Sequence, residues 1–184
     1  MTSEFAIRYA AHCVRRGGVI AYPTETVYGL GCDPLCHDAV DTINKLKGRD
    51  ARKGVILLAS RLQQLDALIE VTDTDQRAAI TAEDEPTSWI VPARNTTPAW
   101  LTGGRTTLAI RISTHPVVIE LCDRLGHALV STSANPSGKP PALSPLQLHR
   151  YFDGLVDAIL VSTHNCSGRP SKIRHLGTRQ LLRK

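Results

Sequence analysis

A stretch near the N-terminus joins an apolar strand to a group of hydroxyls, one carboxylate and two glycines. It runs from Val19 to Gly31 and reads VIAYPTETVYGLG. Pro23 cannot donate a ladder hydrogen bond, so the residues after it are expected to leave the sheet with free side chains. Gly29 and Gly31 allow close backbone approach or a positive φ. The composition favours a ligand site, although an ordinary strand-to-loop transition also uses proline and glycine.

A second candidate cluster is cationic and spans Lys47 to Gly54, with the sequence KGRDARKG. Cations at a helix C-terminus can simply complement the helix dipole. Four cations in seven residues, together with two glycines, exceed what a helix cap requires. Arginine offers a planar fork and lysine a mobile point charge to a phosphate or carboxylate, so the segment is predicted to clamp an anion.

The third cluster, STSANPSG, runs from Ser131 to Gly138 directly after the apolar segment 128–130. Small hydroxyl and amide groups can donate hydrogen bonds to phosphate or carboxylate oxygens without adding charge or bulk. The same composition also suits a turn. Its position after an apolar strand favours a ligand loop, since open α/β sheets bind ligands at strand ends.

Several familiar enzyme and metal signatures are missing from the sequence. Neither the Rossmann nor the P-loop glycine pattern occurs, and no serine lies in a G-x-S-x-G elbow. The five cysteines form no CxxC pair, which argues against a disulfide framework or a zinc knuckle. No residue is therefore assigned to a metal, and the seven histidines are scattered.

Composition and charge narrow the class of protein. The chain has 184 residues, 42% of them hydrophobic but only 4% aromatic, which favours a core of aliphatic side chains in a sheet covered by helices. No run approaches the roughly 20 apolar residues of a membrane span, and no secretory signal precedes the first helix, so a cytoplasmic protein is expected. The net charge is +5, and residues 161–184 hold six cations and no acid. Such a basic segment suits an anionic ligand or RNA, or a solvated surface.

The hydrophobic pattern alternates between helices and strands along the chain. It predicts helices over 4–16, 38–47, 61–69, 73–82, 116–125 and 145–152, and strands over 19–22, 55–59, 89–91, 108–112, 128–131, 158–161 and 180–182. No repeat or linker divides the sequence. One α/β domain over residues 1–184, with helices on both sides of a sheet, is expected.

Four motifs in a fixed order carry a family resemblance. They are PTETVYGLG from Pro23, Lys47-x-Arg49, the AIR triplet ending at Arg111 with a following His-Pro, and SANxSG from Ser133. In this order they resemble the YrdC family of threonylcarbamoyl-AMP synthases, over about residues 17–183. Because no further domain follows, the chain resembles the short, single-domain form.

The resemblance implies both a fold and a reaction. The fold is an open, twisted, mixed α/β sheet with a concave, positively charged cavity. The reaction combines L-threonine, bicarbonate and ATP, with Mg²⁺, into L-threonylcarbamoyl-AMP and pyrophosphate. Partner proteins then use the product for N6-threonylcarbamoyladenosine modification of tRNA. Adenylation brings two anions together, which requires positioned cations and donors rather than a protein nucleophile.

The family pattern also implies roles for individual residues. Lys47 and Arg49 are the expected catalytic residues, at the phosphates or the carbamate. Substrate binding is implied for Thr24, Tyr28, Arg111 and Ser133. Nucleotide binding is implied for Lys47, Arg49, Ser131, Asn135, Ser171 and Arg183. The rival interpretation is a non-catalytic RNA-binding module with a basic cavity, although the sequence shows no aromatic platform for base stacking.

Two segments depart from the family pattern. Residues 83–88, EDEPTS, replace an aromatic-Pro-Gly-Pro segment followed by threonine, so a different loop geometry is expected there. A second departure is His164-Asn165-Cys166, where the family is often glycine-rich.

Overall fold

The computed structural model describes residues 2–162 and 166–183, so His164 and Asn165 of the second departure lie outside the described residues. Within these ranges the helices are α1 (Glu4–Arg15), α2 (His37–Lys47), α3 (Thr74–Thr81), α4 (Ala99–Thr102), α5 (Pro116–Leu125) and α6 (Pro145–Phe152). The strands are β1 (Ile20–Tyr22), β2 (Gly29–Gly31), β3 (Ile56–Ala59), β4 (Thr87–Pro92), β5 (Thr107–Ile112), β6 (Leu129–Ser133), β7 (Ala158–Ile159), β8 (Lys172–His175) and β9 (Leu181–Arg183).

The described strands form one mixed sheet in the order β7-β1-β2-β6-β3-β5-β4-β8-β9. The pairs β7/β1, β3/β5 and β4/β8 are parallel, and the remaining neighbours are antiparallel. Because β7 and β9 each have one partner, the sheet is open. The predicted α/β class with an open mixed sheet is confirmed.

Each face of the sheet carries its own apolar cluster, since successive strand residues point to opposite sides. On one face, α1 and α5 pack over side chains that include Tyr22, Leu58 and Leu129. On the other face, α2 and α6 contribute to a larger cluster that includes Leu57 and Val130. The α1/α5 layer leaves part of the first face uncovered, and the cavity described below lies there.

Local sequence signals explain where the helices that frame this cavity begin and end. Gly48 adopts a left-handed φ of 57° after the last residue of α2, which releases the chain into the cationic segment. Helix α5 begins with the predicted His-Pro pair, in which the His115 side chain caps the helix and Pro116 occupies its first position. Both helix ends therefore agree with the sequence pattern.

The predicted helix over 61–69 is wrong. The chain forms only a 3-10 turn at Leu62–Leu65. After this turn the backbone pairs with the segment that follows β4: Glu70 N donates to Pro92 O, and Arg94 N donates to Leu68 O. These long-range hydrogen bonds replace the ones that would have continued a helix.

Three short elements were not predicted. Strand β2 reads Gly-Leu-Gly, and two glycines in three residues give no strand signal. Strand β8, where no strand was predicted, pairs with β4 and is half-buried. The four-residue helix α4 is too short to show a helical period.

The divergent segment 83–88 is fastened to β8 by charge. Lys172 pairs with Glu85, and Arg174 Nε lies 3.9 Å from Glu83 Oε1. Strand β4 begins within this segment, at Thr87. Two acidic residues thus hold the loop against a basic strand, where the family pattern has a rigid proline-glycine turn.

Among the described residues, no helix is both long enough and apolar enough to cross a membrane.

Candidate active site

The ten predicted site residues all line one cavity of about 510 Å³. Strands β2, β6, β3 and β5 contribute to its floor through Gly29, Ser131, Ile56 and Arg111. The predicted residues that it brings together are Thr24, Tyr28, Lys47, Arg49, Arg111, Ser131, Ser133, Asn135, Ser171 and Arg183. Their roles toward a ligand stay predictions, but their meeting in one place is a property of the fold.

The charges around the cavity are of one sign. Five cations line it, and among the described residues no Asp or Glu does. The five are Lys47, Arg49, Lys53, Arg111 and Arg183. Clefts lined by one charge focus the field and attract ligands of opposite charge, so this cavity suits a polyanion.

The loop between β1 and β2 is closed by its own hydroxyls. Thr24 Oγ1 donates to Val27 O at 2.7 Å and accepts from Thr26 N at 3.2 Å. The Thr24 and Thr26 hydroxyls lie 3.1 Å apart. Both side chains are buried and line the cavity, so this loop presents a fixed pair of hydroxyls rather than one free threonine.

The glycines of β2 serve close approach, not a positive φ. The Tyr22 ring lies across them: a Cβ on Gly31 would meet Tyr22 Cε1 at 2.6 Å as well as the Val130 carbonyl, and one on Gly29 would meet Tyr22 Cζ at 3.5 Å. The Tyr22 hydroxyl donates to Val130 O at 3.2 Å. Among the described glycines with positive φ, neither Gly29 nor Gly31 occurs. The residues that follow Pro23 leave the sheet as expected, but only as far as Tyr28, because the chain then returns as β2.

Lys47 joins the end of α2 to the end of β6. Its ammonium donates to Ser133 O, to Asn135 O at 2.9 Å and to Asn135 Oδ1 at 3.2 Å. Burial and the nearby Arg49 guanidinium lower the pKa of Lys47 to about 8. A pKa of about 8 leaves Lys47 mostly charged at neutral pH, and its hydrogen bonds hold the third cluster in place.

Arg49, two residues after Lys47 and beyond the end of α2, makes a similar connection. Its guanidinium donates to Thr132 Oγ1 at 3.1 Å and to the carbonyl of Gly54. Burial and the positive charge of Arg105 lower the pKa of Arg49. Both arginine contacts are with neutral oxygens, so within the described part of the chain the positive charge has no carboxylate partner and is available to an anion.

The third cluster lies partly inside a strand. Ser131 and Ser133 both belong to β6, so the strand runs two residues beyond its predicted end at residue 131. Alternation places both on the face that carries Leu129, where the core gives way to the cavity. Ser133 Oγ donates to Asn135 Oδ1 at 2.7 Å, and Asn135 Nδ2 donates to Lys139 O at 2.7 Å. The asparagine thus fixes the loop that follows the strand.

The opposite wall comes from the C-terminal segment. The Ser171 hydroxyl lies 2.9 Å from that of Ser88, and both side chains are buried. Arg183 of β9 donates from Nη2 to Ser171 O at 2.9 Å. The unpredicted strand β8 makes this contact possible, because it connects Ser171 to β4 and to β9.

Sequence reasoning gave no role to four polar residues of the cavity, which are Thr26, Lys53, Thr132 and Ser137. Lys53 was counted among the cations of its segment but given no role, and Thr26 was passed over beside Thr24. Both lie in clusters that the sequence singled out. A signal for Lys53 exists in its spacing, since it precedes Gly54 at the point where the chain turns into β3.

Comparison with known proteins agrees with this geometry. The family model Sua5_yciO_yrdC, described as "Telomere recombination", matches residues 12–184. A threonylcarbamoyl-AMP synthase of Nitrosococcus oceani is 46% identical over 181 residues, which cover 98% of each chain. One of Cellvibrio japonicus is 44% identical over 178 residues, covering 96% of this chain and 94% of the relative.

A solved structure shows the same fold. The crystal structure of P. abyssi Sua5 complexed with L-threonine superposes with a TM-score of 0.88 at 31% identity, over 95% of this chain and 52% of that one. This chain thus spans about half the length of the P. abyssi protein. With a family model over nearly the whole sequence and relatives above 40% identity, the chain belongs to the Sua5/YciO/YrdC family.

Proposed function

We propose that the chain is a threonylcarbamoyl-AMP synthase, which converts L-threonine, bicarbonate and ATP into L-threonylcarbamoyl-AMP and pyrophosphate. The observation that carries this proposal is the cavity with five cations, hydroxyls and no lining carboxylate among the described residues. The names of the Nitrosococcus and Cellvibrio relatives support it. So does the threonine bound to the P. abyssi protein.

The reaction needs positioning and charge more than covalent help from the protein. Threonine and bicarbonate give N-carboxy-threonine, whose carboxylate oxygen attacks the α-phosphorus of ATP. A new phosphorus–oxygen bond forms, the bond to the β-phosphate oxygen breaks, and pyrophosphate leaves with its electron pair. Two anions must meet, so fixed cations and donors that offset the growing charge lower the barrier.

The residues divide between the two substrates. Threonine would lie against Thr24, Tyr28, Arg111 and Ser133, near the closed loop of hydroxyls. The nucleotide would lie along Ser131, Asn135, Ser171 and Arg183. Lys47 and Arg49 lie at the junction, where they would contact the phosphates or the carbamate and act as the catalytic residues.

Magnesium is proposed to enter with ATP and not to bind a resident site. Among the described residues, no group of three His, Cys, Asp or Glu side chains could hold a metal ion. The charged side chains of the cavity are all cations, which do not fit a divalent metal. The ion is therefore treated as part of the substrate MgATP.

Partners and location belong to the same proposal. The intermediate would pass to tRNA-modification proteins that place the threonylcarbamoyl group on tRNA, in the cytoplasm. A single catalytic unit over residues 1–184 is sufficient for the adenylation step under this proposal.

The decisive experiment measures pyrophosphate release by the purified protein. Release is expected only when ATP, L-threonine and bicarbonate are all present, and omission of any one should reduce it to background. Binding of RNA without threonine-dependent pyrophosphate would reject the enzyme and favour a non-catalytic RNA-binding module.

A further inference from the structure

Glu25 lies within the most informative motif but does not line the cavity. Its side chain is 14% exposed and points behind the cavity wall, toward the junction of β5 and α5. Its role must therefore be exerted through other residues.

One carboxylate oxygen of Glu25 fastens that junction. Oε1 accepts from Ser113 Oγ at 2.7 Å, from Thr114 N at 2.8 Å and from His115 N at 3.3 Å. These residues immediately precede α5, where backbone N–H groups lack helical partners and favour a negative charge.

The other oxygen faces Arg111. Glu25 Oε2 lies 3.6 Å from Arg111 Nη2, and neither this oxygen nor Arg111 Nε has a hydrogen-bond partner within residues 2–162 and 166–183. The Arg111 side chain is only 6% exposed and lines the cavity. At 3.6 Å the carboxylate attracts the guanidinium without accepting a normal hydrogen bond from it. Glu25 thus partly neutralises the charge of Arg111 without accepting a hydrogen bond from it, so the N–H donors of Arg111 remain available.

The same contacts argue against a metal role for Glu25. Three donors surround one oxygen and a cation faces the other, so a divalent ion would meet positive charge on both sides. Burial raises the pKa of Glu25, but Arg111, the Ser113 hydroxyl and backbone donors outweigh it and hold the pKa below its ordinary value. Glu25 is accordingly a carboxylate at neutral pH.

We propose that Glu25 is a positioning residue that acts through Arg111, holding its guanidinium toward an anionic group of a bound substrate. This inference rests on the proposed function for the identity of the substrates. A buried arginine without a counter-charge is costly, and it would turn toward another acceptor or weaken the fold. Glu25 removes that cost without occupying the donors, so Arg111 is oriented before the ligand arrives.

A double-mutant cycle tests the route through Arg111. The variants are Glu25→Gln, Arg111→Lys and the double variant, and Kd values for ATP and for L-threonine are measured by calorimetry. We expect Glu25→Gln to weaken the same ligand that Arg111→Lys weakens, by about tenfold. The Kd of the double variant should be no more than about twofold higher than that of the single variant that binds more weakly, because both changes disable the same group.

Ser113→Ala is the matched control, since it removes one donor to Glu25 but leaves the charge opposite Arg111. It should change neither Kd by more than about twofold, because one neutral hydrogen bond contributes only about 1 kcal/mol. Additive effects in the cycle, an equal loss in Ser113→Ala, or no effect of Arg111→Lys on either ligand would each overturn the proposal.

Folding and function can be separated in this experiment. Thermal unfolding is followed for every variant, and Glu25→Asp takes the place of Glu25→Gln in the cycle if the glutamine variant does not fold. The cycle uses binding and not turnover. If the wild-type protein binds ATP and threonine but releases no pyrophosphate, the proposed function is rejected. The coupling between Glu25 and Arg111 can still be measured in that case.

Discussion

At the scale of single residues, the candidate catalytic cations also hold the site together. Lys47 and Arg49 both reach β6 or the loop after it, and neither pairs with a carboxylate among the described residues. Each side chain therefore donates hydrogen bonds to neutral oxygens, while its positive charge remains available to an anion. Substitution should lower turnover far more than it lowers the free energy of unfolding. The hydrogen bonds to neutral oxygens contribute to folding, but they do not neutralise the charge that catalysis needs.

For Arg49→Ala and Lys47→Ala, we expect turnover to fall about 100-fold or more, as for other donors removed from a developing charge. The loss of unfolding free energy should stay near 1–2 kcal/mol, since only hydrogen bonds to neutral groups are lost. Pyrophosphate release and urea unfolding measure the two quantities. Lys45→Ala is the control, because Lys45 lies on the same helix but pairs with Asp41 at the surface. Wild-type turnover in either test variant would contradict the clamp.

Lys47 should titrate near pH 8 in the ligand-free protein. Burial and Arg49 disfavour its charged form, so the folded pKa lies below that of an unfolded lysine. Between the folded pKa and the ordinary value near 10.4, the unfolded chain binds more protons. In that window Lys47 therefore makes the free energy of unfolding rise with pH.

The Cε chemical shift of ¹³C-labelled lysine reports this titration directly. A bound anion favours the ammonium, so saturating ATP should move the midpoint upward. Lys45 provides the contrast within one sample, since Asp41 raises its pKa. A Lys47 midpoint near 10.5 without ligand would contradict the burial argument.

At the scale of elements, strand β6 shows what the sequence could reveal and what it could not. Its apolar first half and hydroxyl-rich second half were recognised, but the boundary was placed too early. Ser131 and Ser133 look like loop residues by composition. They are strand residues because β2 and β3 pair with them on either side, a long-range effect that the local sequence does not carry.

Strand β2 provides a test of close packing. Gly31→Ala should destabilise the fold by about 3 kcal/mol, because the new methyl would meet the Val130 backbone carbonyl as well as the Tyr22 ring. Backbone cannot move aside as a flexible side chain can. Denaturant unfolding gives the change in free energy.

The matched control is Gly177→Ala. A Cβ there would meet only the His175 ring, at 3.5 Å or more, and Gly177 is not among the described glycines with positive φ. A change within about 0.5 kcal/mol is expected for this control. Equal effects at the two positions would show that packing against β2 is not the cause.

At the scale of the whole molecule, the charge pattern of the sequence is redistributed by folding. The basic C-terminal segment and the acidic 83–88 segment lie far apart in sequence but meet at β8. Five cations line the cavity, and four of them have no acidic partner among the described residues. Net charge alone could not separate these two groups, which is why an RNA-binding module stayed open at the level of composition.

Salt should therefore weaken nucleotide binding selectively. Raising the salt concentration from 0.1 M shortens the Debye length from about 10 Å, which screens the cavity's field. We expect the Kd for ATP to rise about fivefold or more by 0.5 M NaCl, whereas that for zwitterionic L-threonine should change less than about twofold. Calorimetry at both concentrations measures this, and equal salt dependence of the two ligands would contradict a cavity built for a polyanion.

Much of the site was predictable from the sequence, because the family motifs identify residues that the fold brings together. All ten predicted residues meet in the cavity, including Ser171 and Arg183 from the C-terminal segment in which strand β8 was not predicted. The sequence did not reveal the hydrogen bonds that hold these residues in place. The hydrogen bonds of Lys47 to Ser133 and Asn135 join positions that are 86 and 88 residues apart in the sequence, and no local sequence pattern predicts such a contact.

The Tyr22 ring that lies across Gly29 and Gly31 has a consequence for how this sequence can evolve. A Cβ on Gly31 would meet both the Tyr22 ring and the Val130 backbone carbonyl, so a smaller residue at position 22 would not by itself make room for one. It would also leave an unfilled core and remove the hydrogen bond from the Tyr22 hydroxyl to Val130 O. Gly31 should therefore stay glycine in relatives whatever residue stands at position 22, whereas Gly29, whose Cβ would lie 3.5 Å from the ring, is less constrained.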